Sequence, residues 1–408
     1  MKMKKIISAL VLGATAAGLA MADVSLAAGF KLGSSAVKYN SKDATTNKKD
    51  VELFNLNNFW AGNSNVAFKA TGDIFSFAAT LSPAVAPLKS DIGEDIVLLK
   101  IVTIGAKLGD FSFLAGWNRD GIMRYRATKD AGNDEGQVFE AYKPGSMFAT
   151  DAQCANNQAG FQKDQTDYFA QAGYGFALSD NAKLNVMAAV YSPDAWGVGK
   201  NANTSWDNSL GWGVFVQPVV KNVFEAEVFV KGHGDKDDKQ NLVIGAYGKP
   251  THIPILADSG IGGSVVLYDG KLTEWNADVR LYFKANDKLS FTSFNNISYL
   301  KDNSGTKVYG KIGNLDTPAN IANYALWNMV GMRYRKSNSL HLVATAGQQS
   351  FFDGDKLTQI FVHPHAQIMA SNKVAVTTGI ICSVDNLRVS GRDANVVVSV
   401  PVHLRVDF

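Results

Sequence analysis

The chain reads as all-β: a transmembrane antiparallel β-barrel of 16–18 strands with short periplasmic turns and long extracellular loops. Three features of its 408 residues predict this. Apolar and polar residues alternate with period two from end to end. Tight turns take turns with long polar connections. Aromatic residues gather at both ends of the alternating segments, whose middles stay aliphatic.

The N-terminus comes first. Residues 1–22 carry Lys2, Lys4 and Lys5, then an apolar run from Ile6 to Leu19, then Ala20-Met21-Ala22. A basic start, a greasy middle and a small-x-small end form an export leader, with cleavage expected after Ala22. A cut after Ala27 is the alternative, but it would destroy the alternation Val24, Leu26, Ala28, Phe30, Leu32. Residues 23–408 are then one barrel. Loss of the three leader lysines takes the formal charge from +3 to 0. A neutral mature chain gives no reason to expect a nucleic-acid partner. The two cysteines, Cys154 and Cys382, are too few for a disulfide framework, and Cys382 lies on an apolar face.

Hairpins follow in order. Val66-Phe68-Ala70 turns at Gly72-Asp73 into Phe75-Phe77-Ala79-Leu81. Val102-Ile104-Ala106-Leu108 turns at Gly109-Asp110 into Phe111-Phe113-Ala115-Trp117. Tyr168 to Leu178 passes through "SDNAK" to Leu184-Val186-Ala188-Val190. Leu210 to Val216 leads to Phe224-Ala226-Val228-Val230, and a weaker pair covers 241–248 and 261–268. Trp275 to Phe283 crosses "KANDK" to a strand at Leu289, and Val330-Met332-Tyr334 crosses "KSNS" to Leu340. Ile360 to Ile368 crosses Ser371-Asn372 to Val374-Val376. Each is a hairpin by its turn residues and its period. The long connections are 34–63, 120–166, 193–208, 232–240, 300–325 and 385–393.

This topology puts Trp117, Tyr168, Trp212 and Trp275 at the loop ends of their strands. Phe75, Phe111, Phe224, Phe283, Tyr334 and Phe408 fall at the turn ends. Two aromatic belts are what two membrane interfaces select. Backbone in hydrocarbon must satisfy every N–H and C=O internally, so strands cross a membrane only as a ring. Three places resist the pattern. Ser293 and Asn295 fall on the expected lipid face, calling for a bulge or a covered strand. Pro364 and Pro401 each remove a ladder hydrogen bond, calling for an edge or a bulge.

The last residues, "VVVSVPVHLRVDF", place Val396, Val398, Val400, Val402, Leu404, Val406 and Phe408 on one face. With the leader, this ending resembles that of Gram-negative outer-membrane β-barrel proteins of the porin type. The resemblance implies that Leu404, Val406 and Phe408 present an assembly signal to the barrel assembly machinery. It also implies a bacterial outer-membrane location, surrounding lipid as a partner and the homotrimers common among general porins.

A barrel of this size leaves a water-filled lumen. Passive diffusion of small polar solutes or ions is therefore the expected function, with no enzyme activity, cofactor or metal. Lumen-facing candidates are Lys69, Lys107, Glu225, Glu227, Asp278, Arg280, Arg333, Arg335 and Arg405. Connection 120–166 follows the fifth strand, as does the inward-folding loop of the porins it resembles. It would bring Arg119, Asp120, Arg124 and Arg126 to a constriction, although it lacks the Pro-Glu-Phe-Gly-type tip of such loops. The surplus of basic residues predicts weak anion preference.

Other readings are open. Loops 34–63, 120–166 and 300–325 could make the barrel a surface adhesin. Ser259 in "ADSGIGG" is not in a Gly-x-Ser-x-Gly setting and reads as a turn. His363 and His365 share a face, and without an evident third ligand they read as lumen histidines. A soluble sandwich, β-helix or propeller would show repeats at fixed spacing, and none is found.

Overall fold

The computed structural model describes residues 23–41, 49–60, 65–83, 97–118, 166–193, 211–234, 240–253, 256, 259–300, 324–351, 358–371, 373–385, 387 and 393–407. Residues 1–22, all of 119–165 and Phe408 lie outside this set. Among the described residues there are twenty strands and no α-helix.

The strands are β1 (Asp23–Asn40), β2 (Asp50–Trp60), β3 (Asn65–Thr71), β4 (Phe75–Pro83), β5 (Val97–Leu108), β6 (Phe111–Asn118) and β7 (Thr166–Ser179). Then come β8 (Ala182–Pro193), β9 (Gly211–Val220), β10 (Phe224–Gly234), β11 (Gln240–Pro250), β12 (Gly260–Tyr268), β13 (Lys271–Lys284) and β14 (Leu289–Leu300). The last are β15 (Tyr324–Ser337), β16 (Leu340–Phe351), β17 (Thr358–Met369), β18 (Val374–Gly379), β19 (Ile381–Asp385) and β20 (Asn395–Asp407).

Pairing is antiparallel and sequential from β3 to β17. Two staves are interrupted. β3 lies along the first part of β1 and β2 along its second part, so together they form one crossing. β18 and β19 likewise share β17 on one side and β20 on the other. The twenty strands therefore make eighteen staves. β20 pairs back onto β1 from Gly29↔Asp407 to Asn40↔Val397, which returns the ladder to its start. The fold is an antiparallel β-barrel.

Turn chemistry matches the sequence. In "KANDK" the Asn286 Oδ1 accepts from the backbone N–H of Lys288 and of Leu289, both at 2.9 Å. Ser371 Oγ accepts from Lys373 and Val374 N–H, both at 3.1 Å. Asn and Ser side chains that bond their own backbone a few residues on favour turns over continued strand. The loop side departs from expectation twice. The segment 34–63 contains the end of β1 and all of β2, and β12 joins β13 through Asp269-Gly270 alone. Both of these residues have positive φ, 51° and 72°, which suits the tight hairpin type.

The two strand prolines sit beside irregularities, as chain chemistry requires. Pro401 pairs with Ser35, and the next match is Val37↔Val400, so Ala36 is an extra residue in β1. Pro364 stands opposite Ile380, where β18 gives way to β19, and its carbonyl accepts the Ile380 N–H at 3.0 Å.

Candidate functional site

Several strands show one exposed apolar face and one sheltered face richer in polar groups. In a sheet wrapped on itself the sheltered face is the inner one. On β17 the outward Ile360, Val362 and Ile368 are exposed, while Phe361, His363, His365 and Gln367 between them are buried. On β15 Val330, Met332 and Tyr334 point out, and Met329 and Arg333 point in. On β20 Val396, Val402 and Leu404 are exposed outward, with Val397 and Ser399 buried inward. Leu404 and Val406 share that outer face, and Phe408 lies outside the described residues.

The outer surface carries the two belts. Phe75, Phe111, Phe224, Phe283 and Tyr334 are exposed at turn ends, and Trp212 is exposed at a loop end. Trp275, Tyr299 and Tyr324 form a loop-end cluster with centroid separations of 4.7–6.5 Å. Phe283 and Phe291 meet at 6.2 Å at the turn end. Between β3 and β5, Ala70 and Ala79 are buried among Phe68, Phe77 and Val102.

The inner wall is the candidate site. Lys69 on β3 and Lys107 on β5 are exposed at the turn-end mouth. Beside them Lys183 Nζ lies 3.3 Å from Asp110 Oδ1. A polar chain then crosses three strands: Asn185 Nδ2 donates to Gln217 Oε1 at 3.1 Å, and Gln217 Nε2 donates to Glu225 Oε1 at 2.9 Å. Glu225 faces Lys249 across the β10–β11 ladder, and Glu227, one inward step further along β10, is buried.

The inner wall of β15–β17 is more sheltered. Arg333 is 2% exposed, and Val343 and His365 follow it along one cross-strand row. Arg335 pairs with His341 and then Gln367 in the next row. The His363 and His365 rings lie 4.4 Å apart, and Thr345 Oγ1 donates to the His363 carbonyl at 3.3 Å. On β1, Lys38 and Asn40 are buried. No group of three or more potential metal ligands occurs among the described residues.

Asp278 and Arg280 sit on β13 opposite Gly262 and Gly260. Arg119, Asp120, Arg124 and Arg126 lie outside the described residues. Ser259 is buried, and its hydroxyl clamps β13: it accepts the Tyr282 N–H at 2.9 Å and donates to the Tyr282 carbonyl at 3.3 Å. Of "ADSGIGG", Gly260 to Gly263 belong to β12, which the turn reading did not anticipate, and Ala257 and Asp258 lie outside the described residues. The Asn185–Gln217–Glu225 chain was not singled out by sequence. Its members are spread over 40 residues and meet only through the strand register.

No known family pattern matches the chain, and no characterised protein matches it in sequence. Among solved structures it is similar to the anion-selective porin from Comamonas acidovorans, with a TM-score of 0.49, 11% identity, and coverage of 95% of this chain and 99% of that one. It is also similar to OccAB3 of Acinetobacter baumannii, at TM-score 0.48 and 10% identity over 95% of this chain and 100% of that one. For the outer membrane channel DcaP of the same organism the values are 0.43 and 10%, over 95% and 97%.

Proposed function

We propose that the chain is an outer-membrane channel of the porin type, passing small hydrophilic solutes and ions by passive diffusion. The carrying observation is the ring of eighteen paired staves, apolar outside and largely polar inside. A ring of about eight strands is filled by its own side chains, whereas one of 16–18 leaves an aqueous passage. Lys183 and Asp110 offset each other at the mouth, and the exposed Lys69 and Lys107 beside them support a weak anion preference. On this reading the leader is removed after Ala22, and Leu404, Val406 and Phe408 guide assembly. Arg119, Asp120, Arg124 and Arg126 add to the constriction if their loop folds inward.

The test is a planar bilayer with purified protein. Stable single-channel steps, and a reversal potential of anionic sign in a salt gradient, are expected. A bilayer left silent at high protein concentration would overturn the channel reading and favour adhesion through the loops.

A further inference from the structure

At the loop end of β1 the inner wall holds a buried amide whose hydrogen bonds the chain does not make. Asn40 is 2% exposed, and neither its Nδ2 nor its Oδ1 has a hydrogen-bond partner. Buried polar groups are as a rule paired, because a group taken out of water without a replacement costs stability. Polar neighbours are at hand. Asp50 stands directly across from Asn40 on β2. The adjacent Ser41 hydroxyl donates to Asn395 Oδ1 at 3.2 Å and accepts the Val396 N–H at 2.8 Å. The Asn40 amide joins none of these.

Its surroundings are charged on two sides and apolar on a third. Lys38, one inward step along β1, is buried on the same face. Asp50 is half-buried at the mouth, and the exposed Val51 and Leu53 after it put it on the inner face by alternation. Among the described residues no ion pair joins Lys38 to Asp50. They lie on a ladder diagonal, which spans about 7–8 Å, with Asn40 beside both. Glu52 holds the ladder position opposite Lys38. On the other side, Val397 of β20 lies opposite Asn40 and Ser399 opposite Lys38, and Ile381 of β19 pairs with Ser399. Val397 and Ile381 are buried apolar residues.

We propose that these residues bind a small zwitterion, an α-amino acid with a short aliphatic side chain. Its carboxylate takes Lys38 and the Asn40 Nδ2, and its ammonium takes Asp50 and the Asn40 Oδ1. An amide donates and accepts at once, so Asn40 bridges the two charges of one molecule. Ser399 offers a hydroxyl on the carboxylate side, and the aliphatic side chain lies toward Val397 and Ile381. Other solutes fit less of the site. A simple anion meets the acidic positions 50 and 52 as like charges. A simple cation meets Lys38, and a neutral polyol leaves both charges unused. Entry is over Asp50, the most open of the three, and burial strengthens each contact made behind it. The site rests on the channel reading at one point, that solute reaches the inner face.

The test uses the full chain in detergent and L-valine as probe. Isovalerate and isobutylamine are the comparators, the same skeleton without the ammonium or without the carboxylate. Equilibrium dialysis with radiolabelled L-valine should show saturable binding that unlabelled valine displaces and neither comparator does at the same concentration. Lys38→Met and Asp50→Asn should each weaken valine binding by roughly tenfold or more, the loss expected when a charged group gives up its hydrogen-bonded partner. Asn40→Asp replaces a donor by an anion and should turn the preference toward isobutylamine, which a merely structural role would not do. Asp180→Asn, on the β7–β8 turn, should bind valine as the unaltered chain does. Should a variant not assemble, the displacement series on the unaltered chain decides. No saturable valine binding, displacement by either comparator as good as by valine, or assembled variants that bind as before would overturn the inference. Bilayer conductance is read on the same preparation. Channel steps without valine binding remove the site and leave the channel, whereas valine binding by a silent barrel removes the channel reading alone.

Discussion

Phe229 lies flat against the inner wall over Gly245 of the neighbouring strand, and a Cβ built at position 245 would overlap its ring. Phe361 covers Gly347 in the same way across β16 and β17. Phe215 stacks on Phe229 at 5.7 Å. Glycine on one strand thus makes room for a bulky ring on the next.

Gly245→Val removes the bed on which Phe229 rests. The ring must rotate toward the lumen, and overpacking of this kind destabilises by about 1–3 kcal/mol. The expected outcome is a smaller single-channel conductance with a lower unfolding temperature. Phe229→Ala in the Gly245→Val background should restore the conductance, and unchanged conductance in the single variant would show that the ring does not move inward.

Most hairpins were legible because alternation and turn residues are local signals. Asn286, Ser371 and the Gly109-Asp110 pair announce their turns within a few residues. What was hidden depends on register between distant segments. β2 lies in a stretch that reads as loop, because its pattern "DVELFNLNNFW" mixes amides into the alternation and its stave is broken before β3. The inner-wall chain from Asn185 to Glu225 is invisible for the same reason. Ser293 and Asn295 were legible as an anomaly, but their partners Asn328 and Gln348 could be matched only once three strands were aligned. Pro364 and Pro401 gave correct warnings of irregularity without saying that the neighbouring strand would carry it.

The division into faces makes opposite predictions for residues of similar depth. Val228 is 48% exposed on the lipid side of β10. Val228→Arg should destabilise the barrel by about 2–4 kcal/mol if it lies at the bilayer midplane. Gln217→Arg on the inner wall of β9 places its guanidinium beside Glu225 and should leave stability within roughly 1 kcal/mol. Urea unfolding from lipid vesicles checks both, and equal losses would contradict the assigned faces.

Deletion of Ala36 takes away the extra residue of β1 opposite Pro401. One half of β1 must then slip by one position, which carries its side chains to the other face. Heat-modifiable migration on gels should report loss of assembled barrel. Pro401→Ala alone should be tolerated, since the bulge already accommodates the missing donor.

The mouth charges can be pushed in two directions. Lys183 and Asp110 are 46% and 52% exposed and 3.3 Å apart, so their attraction contributes only about 0–1 kcal/mol after solvent screening. Asp110→Asn should therefore leave the unfolding midpoint nearly unchanged. It removes one negative charge from the mouth and leaves Lys183 unneutralised, so the reversal potential should move toward anions. Lys107→Glu reverses an exposed basic group at the same end and should move it toward cations, by more, because the charge changes by two. Both shifts should shrink as salt rises, since the screening length falls from about 10 Å at 0.1 M to about 3 Å at 1 M. Shifts of the same sign, or none at low salt, would mean that ions do not pass along this wall.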